Sequence, residues 1–298
     1  MKKTRLLWFL LTTAFIVLSF VTEFDGGGQR RPSPQPKSVP EPTQRFGDQR
    51  ADDGPVRRWL LEADTDRVRS TGTAFAIAGG LWLTARHVVD QCDSIWIVKP
   101  GRPIKPDQKV RKAILHPKAD IALLHFPLAP EHPPVVTAPH QPKRKAAGFH
   151  FGYPGGNPGD VLSFYLGDSA ATIRGRGAAT FPIQVWAAKE IPAQLTSLGG
   201  LSGGPAFDET GQIIGVTIAE SPRRGRVATT PATLSGEMID LAGVARQVST
   251  DNGGASRVEG LAPATYHKVG DALRASLAVA QVYCHVRIAG RSSPFDRF

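Results

Sequence analysis

The chain has 298 residues, 41% of them hydrophobic and 21% charged, which is enough for one large or two ordinary domains with a sizeable core. Its 31 glycines and 25 prolines suit a loop-rich β protein better than a helical bundle, and two cysteines exclude a disulfide-dense scaffold or a four-cysteine zinc site. The 36 Lys and Arg against 26 Asp and Glu give a net charge of +10, which raises nucleic acid or an anionic membrane as a partner.

Lys2, Lys3 and Arg5 precede an uncharged run from Leu6 to Val21. As a helix that run would rise ~24 Å, just short of the ~30 Å hydrocarbon core. Residues 1–23 therefore read as a signal peptide or a signal anchor. The stretch Val21-Thr22-Glu23-Phe24-Asp25 lacks a small-x-small cleavage pattern, which favours the anchor. The basic start would stay in the cytoplasm and send the rest of the chain across the membrane. A buried core helix is the alternative; the charged start and the segment that follows count against it. Residues 24–58 hold Pro32, Pro34, Pro36, Pro40, Pro42 and Pro55 among few apolar side chains, so they read as a linker, partly extended as polyproline II.

From residue 59 to 248 short apolar runs alternate with turn residues. Thr73 to Ile77 and Leu81 to Thr84 flank Gly79-Gly80 as a hairpin. Ile95 to Val98, Lys109 to Leu115, Ile121 to His125, Gln184 to Ala188 and Ile213 to Ile218 follow, each bounded by Gly, Pro, Asp or Asn. Strands at this spacing predict an all-β fold of antiparallel barrels or sandwiches. Helical signal is confined to Ser235–Val248 and to a C-terminal extension, 249–298. There Val269, Leu273, Leu277, Ala280 and Cys284 recur at spacings of 4, 4, 3 and 4, predicting an amphipathic helix with Cys284 on its apolar stripe.

Three segments carry chemistry. Leu83-Thr84-Ala85-Arg86-His87-Val88-Val89 places a histidine where a turn leaves a strand. His116-Pro117-Lys118-Ala119-Asp120 places an aspartate at the mouth of the next apolar strand. Gly199-Gly200-Leu201-Ser202-Gly203-Gly204-Pro205-Ala206 puts a serine in a glycine-rich turn. A serine hydroxyl is a weak nucleophile and needs a base to take its proton. Histidine does this near neutral pH, and a buried carboxylate fixes its tautomer and stabilises the imidazolium. The glycines let the backbone N–H groups of Gly200 and Ser202 converge on an oxyanion.

In this order the segments resemble the trypsin/chymotrypsin-like serine proteases, most of all their bacterial high-temperature-requirement (Deg) branch. Gly72-Thr73-Ala74-Phe75 is similar to that family's first strand, LTARHVV to its histidine motif, Asp120-Ile121-Ala122-Leu123-Leu124 to its aspartate motif and GLSGGPAF to its serine motif. Gly152-Tyr153-Pro154-Gly155 is similar to the glycine-proline loop between the last two. The resemblance implies two six-stranded antiparallel β-barrels and a serine endopeptidase. Ser202 would be the nucleophile, His87 the base and then the acid, Asp120 its orienter, and Gly200 and Ser202 the oxyanion hole. It implies no cofactor and no metal, and protein or peptide substrates; the N-terminal segment would anchor the chain in the inner membrane of a bacterial envelope with the protease domain in the periplasm or, if it is cleaved, leave the protein secreted. Thr196 would line the primary pocket. Thr217, Ile218 and Ala219 would pair with an extended peptide, and Glu220 beside them would favour a basic side chain or stand as a solvated loop carboxylate. Without an aspartate at the pocket base, small or medium apolar side chains are the expected substrates.

Two departures from the family matter. Leu201 stands where the zymogen-activated members carry an aspartate, so a newly cut N-terminus has no carboxylate to pair with. About 50 residues follow Val248, too few for the PDZ domain common in the Deg branch. If the domain reaches an oxidising compartment, a Cys92–Cys284 disulfide would tie the extension beside His87; two separate buried thiols are the other reading.

Rival functions are weaker. GLSGG also fits the α/β-hydrolase elbow, but that fold needs the order serine, acid, histidine and a helix after the serine. A catalytically silent scaffold or peptide-binding module on the same barrels is the principal alternative. Nucleic-acid binding is supported by charge alone, with no RNP, zinc-finger or helix-turn-helix pattern. Position also divides the charge: ten of the Lys and Arg and six of the Asp and Glu fall in residues 1–60, where the basic start serves as an orientation signal.

Overall fold

The computed structural model describes residues 44–45, 59–62, 69–78, 80–98, 105–127, 141–174, 179–191, 197–221, 225–241 and 258–287. The signal or anchor segment, 1–23, and nearly all of the linker lie outside them. Among the described residues no helix is long and apolar enough to cross a membrane.

In chain order, β1 (Gln44–Arg45) and β2 (Trp59–Glu62) precede β3 (Arg69–Ala78), β4 (Leu81–Thr84) and the short helix α1 (Arg86–Val89). Next come β5 (Ser94–Val98), β6 (Lys112–Leu115), β7 (Ala122–His125), β8 (Ala147–Gly152) and β9 (Gly159–Arg174). Then β10 (Ala179–Ile191), β11 (Pro205–Phe207), β12 (Ile213–Ser221) and β13 (Arg226–Thr229) lead to α2 (Ala232–Leu241), α3 (Tyr266–Ala275) and β14 (Val279–His285).

The strands form two sheets. The first has six strands in the order β5-β14-β3-β4-β7-β6, antiparallel at every pairing. Trp96 on β5 bridges Lys109, and the Val110 N–H donates to Ile95 at 2.8 Å, which brings the first strand round to the last. The second sheet runs β1-β10-β13-β12-β11-β8-β9-β2 and curls because β9 also pairs with β10. The expected all-β double barrel is therefore present, with eight strands rather than six in the second sheet. The extra strands are β1, from the expected linker, and β2, which runs parallel to β9. Trp82, Trp186, Phe75, Phe149, Phe151 and Phe207 are fully buried, each stabilising the barrels by about 1.5–3 kcal/mol through removal of apolar surface from water.

The expected C-terminal helix is corrected in its second half. The helix α3 ends at Ala275, and Leu277 adopts a left-handed backbone with φ 60°. Residues 279–285 are a strand inserted between β3 and β5, with Cys284 opposite Ser70 and Ile95. Val279 and Ala280, on opposite faces of this strand, are both buried, as are Val282, Cys284 and His285, so its apolar residues show no clean alternation and imitate a helical stripe. What looked like an appendage completes the first barrel. It is fastened twice more. Cys284 is bonded to Cys92, with their Cα atoms 5.5 Å apart. Arg274 grips the carboxylate of Asp160 on β9 through both oxygens, at 2.5 and 3.1 Å.

Candidate active site

His87 and Asp120 come from the first barrel. Strand β4 delivers the chain to Ala85, and the single turn of α1 presents His87 half-buried at its edge. Asp120 sits in the turn between β6 and β7 and is almost wholly buried, its side chain 1% exposed against 30% for His87. One carboxylate oxygen accepts the backbone N–H of His87 at 2.8 Å and the other lies 2.7 Å from its Nδ1. A carboxylate only accepts, so Nδ1 carries the proton and Nε2 is left as a lone pair, the tautomer a general base requires.

Two residues brace this pair. His116 Nδ1 accepts the N–H groups of Lys118 at 3.2 Å and Ala119 at 2.8 Å, closing the turn that ends in Asp120. Burial holds its imidazole below the ordinary pKa, against the pull of Glu237, so it stays available as an acceptor. Arg86, beside His87, donates to the carbonyls of His116 at 2.8 Å and Pro117 at 3.3 Å and bonds Asp90 at 3.1 Å. The histidine turn and the aspartate turn are thus bolted together. Histidine before proline at the start of a turn is the signal the sequence offers for His116.

Ser202 comes from the second barrel, in the turn before β11. Its backbone rests on the first barrel: the Ser202 carbonyl accepts the Thr73 N–H at 2.8 Å, and Gly203 packs on Thr84 and Ala85, just upstream of His87. A Cβ at Gly203 would lie 1.9 Å from the Thr73 oxygen, and Gly203 has φ 89°, so only glycine allows the seam to close. The Ser202 hydroxyl donates to the Ile218 carbonyl at 3.4 Å, a long bond easily exchanged for another partner.

Backbone hydrogen bonds decide what the serine turn offers a substrate. The carbonyl of Gly199 accepts from Gly155 N–H at 2.6 Å, that of Leu201 from Gly204 N–H at 2.9 Å, and that of Gly200 from Thr73 Oγ1 at 2.8 Å. The N–H groups of Leu201, Gly203 and Gly204 are also bound, to Leu198, Thr217 and Leu201, and Gly199 N–H goes to Ser197 Oγ. Among the described residues, the N–H groups of Gly200 and Ser202 are the two in this turn without an acceptor. In a trans peptide the N–H points opposite to the preceding C=O. With the Gly199 oxygen held by the 152–156 loop, the Gly200 N–H faces away from that loop.

The predicted substrate edge lies alongside. Thr217, Ile218 and Ala219 are on β12, whose far edge pairs with β13. Strand β11 pairs with β12 only as far as Val216, so from Ile218 onward the near edge borders Ser202. Glu220 is not a free loop carboxylate: it accepts Ser197 Oγ and the Leu198 N–H, both at 2.6 Å, fastening the approach to the serine turn onto β12. Thr196 lies outside the described residues. Cys92 and Cys284 are disulfide-bonded, Cys92 five residues after His87.

His150 escaped sequence reasoning. It is fully buried on β8, with Nε2 2.7 Å from Ser163 Oγ and Nδ1 3.1 Å from Thr217 Oγ1. The Ser163 hydroxyl proton goes to the Gly148 carbonyl at 3.1 Å, so His150 Nε2–H is the donor and Nδ1 accepts from Thr217. Burial drives its pKa down to about 3, keeping it neutral. Isolated between phenylalanines in sequence, it gave no spacing signal.

Two β-barrels that bring a histidine–carboxylate pair and a glycine-rich serine turn to one seam define a trypsin-like hydrolase. Residues 72–216 match the family described as the trypsin-like peptidase domain. No curated protein matches it significantly. Similar solved structures include the active form of the Rv3671c protease from M. tuberculosis, 23% identical over 57% of this chain and 72% of that one, with a TM-score of 0.48. The HtrA-type protease AlgW with a decapeptide is 24% identical over 57% of this chain and 50% of that one, with a TM-score of 0.41. The serine endoprotease from Yersinia pestis is 17% identical over 58% of this chain and 57% of that one, with a TM-score of 0.39.

Proposed function

We propose that the chain is a serine endopeptidase working through Ser202, His87 and Asp120. His87 Nε2 takes the Ser202 proton as Oγ attacks the scissile carbonyl, and the oxyanion is received by the N–H groups of Gly200 and Ser202. His87 then returns the proton to the leaving amine, and water repeats the sequence on the acyl-enzyme. The observation that carries this reading is the double grip of Asp120 on His87, at 2.8 and 2.7 Å, which leaves Nε2 as the base. A silent scaffold would have no need of that tautomer.

A fluorophosphonate probe tests the reading: it labels the wild type and leaves Ser202→Ala unlabelled. A well-folded wild type that resists labelling under varied conditions would favour the scaffold.

Substrates bind extended along Thr217–Ala219, and the primary pocket takes small or medium apolar side chains. Leu198 and Val227 are buried near the serine turn, and Glu220 is occupied with its wall. A cleavage profile dominated by Lys and Arg would overturn that specificity. The protease domain works outside the cytoplasm, held by the N-terminal segment at the membrane. The Cys92–Cys284 disulfide supports this placement, since such bonds persist in oxidising compartments. Protease accessibility of the domain in spheroplasts, against intact cells, checks it.

A further inference from the structure

Resting on the reading of Gly200 and Ser202 as the oxyanion site, we infer that Thr73 is a positioning residue for catalysis, its hydroxyl fixing the Gly200–Leu201 peptide unit that lies between the two units whose N–H groups form that site. Thr73 lies on β3 in the first barrel and is fully buried. A buried threonine commonly satisfies its hydroxyl on a neighbour in its own element. This one reaches across the seam between barrels, to residues 127 and 80 positions away in the chain.

The direction of each bond is forced. Thr73 Oγ1 accepts the Tyr153 N–H at 3.0 Å, so its single proton is free to go to the Gly200 carbonyl at 2.8 Å. That carbonyl only accepts, so no other arrangement satisfies all three groups. The backbone N–H of the same residue holds the Ser202 carbonyl at 2.8 Å, and its carbonyl is itself fixed by Thr84 Oγ1 at 2.7 Å. One residue therefore clamps the carbonyls on both sides of Leu201, and the Ser202 N–H lies between the two clamps.

The remaining donor depends on Thr73 as well. Gly200 N–H is aimed by the bond from Gly155 to the Gly199 carbonyl, and Gly155 follows by two residues the Tyr153 that Thr73 holds. The serine turn cannot hold this shape by itself. Gly199, Gly200, Gly203 and Gly204 surround Leu201 and Ser202, and glycine imposes little on the backbone. Much of the orientation has to come from outside the turn; Ser197 and Glu220 fix its approach at Leu198 and Gly199, and the Thr73 hydroxyl is the side chain that binds the turn at Gly200. Strand β14 backs it: Gln281 pairs with Thr73, and Tyr153 Oη donates to the Val279 carbonyl at 3.4 Å.

Thr73→Val keeps the shape and removes the hydroxyl, and Thr73→Ser restores it. With a peptide ester substrate, Thr73→Val should lower kcat about 10–100-fold, less than the ~10²–10³-fold for losing an oxyanion donor outright because the donors are misaimed rather than removed, with little change in KM. Affinity for the matching peptide aldehyde, whose adduct places an oxygen in the same site, should fall in parallel, and Thr73→Ser should recover most of both. If the valine variant does not fold by thermal melting, Thr73→Ala is read in the same way. Wild-type kcat and aldehyde affinity in a folded variant would overturn the inference, as would a loss confined to KM or a serine variant no better than valine. Crystal structures of the wild type and Thr73→Val separate this inference from the reading it rests on. A Gly200 carbonyl that keeps its direction without the hydroxyl overturns the positioning role whether or not the wild type cleaves peptides. Failure of the folded wild type to label with fluorophosphonate overturns the protease reading instead.

Discussion

The first barrel presents its half of the site through a charge: one buried carboxylate grips two nitrogens of His87, and His116 and Arg86 brace the turns on either side. The second barrel presents Ser202 itself through neutral bonds, carbonyl by carbonyl, with the Glu220 carboxylate spent upstream on Ser197 and Leu198 and His150 kept uncharged beneath the proposed substrate edge. On the proposed mechanism the difference follows from what each half must do. A base needs a fixed tautomer and later a stabilised positive charge, which a carboxylate supplies. An oxyanion site needs donors left over, and a nearby carboxylate would repel the charge that develops there.

That contrast can be broken most sharply at Asp120. Asp120→Asn keeps the volume but can donate to Nδ1, favouring the wrong tautomer. It should lower kcat about 10⁴-fold, or ~5.5 kcal/mol, measured with a chromogenic ester, while the melting temperature moves little.

Both barrels lean on the C-terminal segment, and its two fastenings come next in size. Arg274→Ala leaves Asp160 buried with only His267, 3.6 Å away, beside its carboxylate and should destabilise by about 3 kcal/mol in urea unfolding. Replacing Arg274 by methionine together with Asp160 by leucine should cost much less, because no buried charge is stranded. Reducing Cys92–Cys284 should cost about 2–4 kcal/mol on the same assay, and by loosening β14 it should act on the first barrel before the second. Hydrogen exchange that opened both barrels together would contradict that order.

The last effect is graded by pH and small near neutrality. His150 has a folded pKa of about 3, below the ~6.5 of an unfolded histidine. Its burial is therefore harmless above pH 6.5. As pH falls from 6.5 toward 3 the unfolded chain gains a proton that the folded chain refuses, and stability declines by up to about 1.4 kcal/mol per pH unit. Denaturant midpoints from pH 7 to pH 4 should show the slope, and His150→Gln should flatten it.

Legibility differed between the same regions. His87, Asp120 and Ser202 each follow or precede a short apolar strand with turn residues beside it, so their places on the chain could be read from local pattern. The long hairpin of β9 and β10 could not: Gly167, Asp168, Ser169 and Pro182 interrupt its apolar residues, and only pairing across sixteen and thirteen residues holds it extended. Thr73, His150 and Arg274 were equally silent, because each acts through a partner 80 or more, 67 and 114 residues away.

The sequence by itself determined the chemistry available: which residue types stand at turns, in what order, with glycines where the backbone must come close. Tertiary structure alone decided which hydrogen bonds those turns make. It closed the first barrel with the last described strand, and it bound the four consecutive carbonyls of Gly199–Ser202 so that two N–H groups remain. The physical reason is range: strand propensity and turn chemistry are local, whereas satisfying buried backbone groups is settled by whichever segments the whole fold brings together.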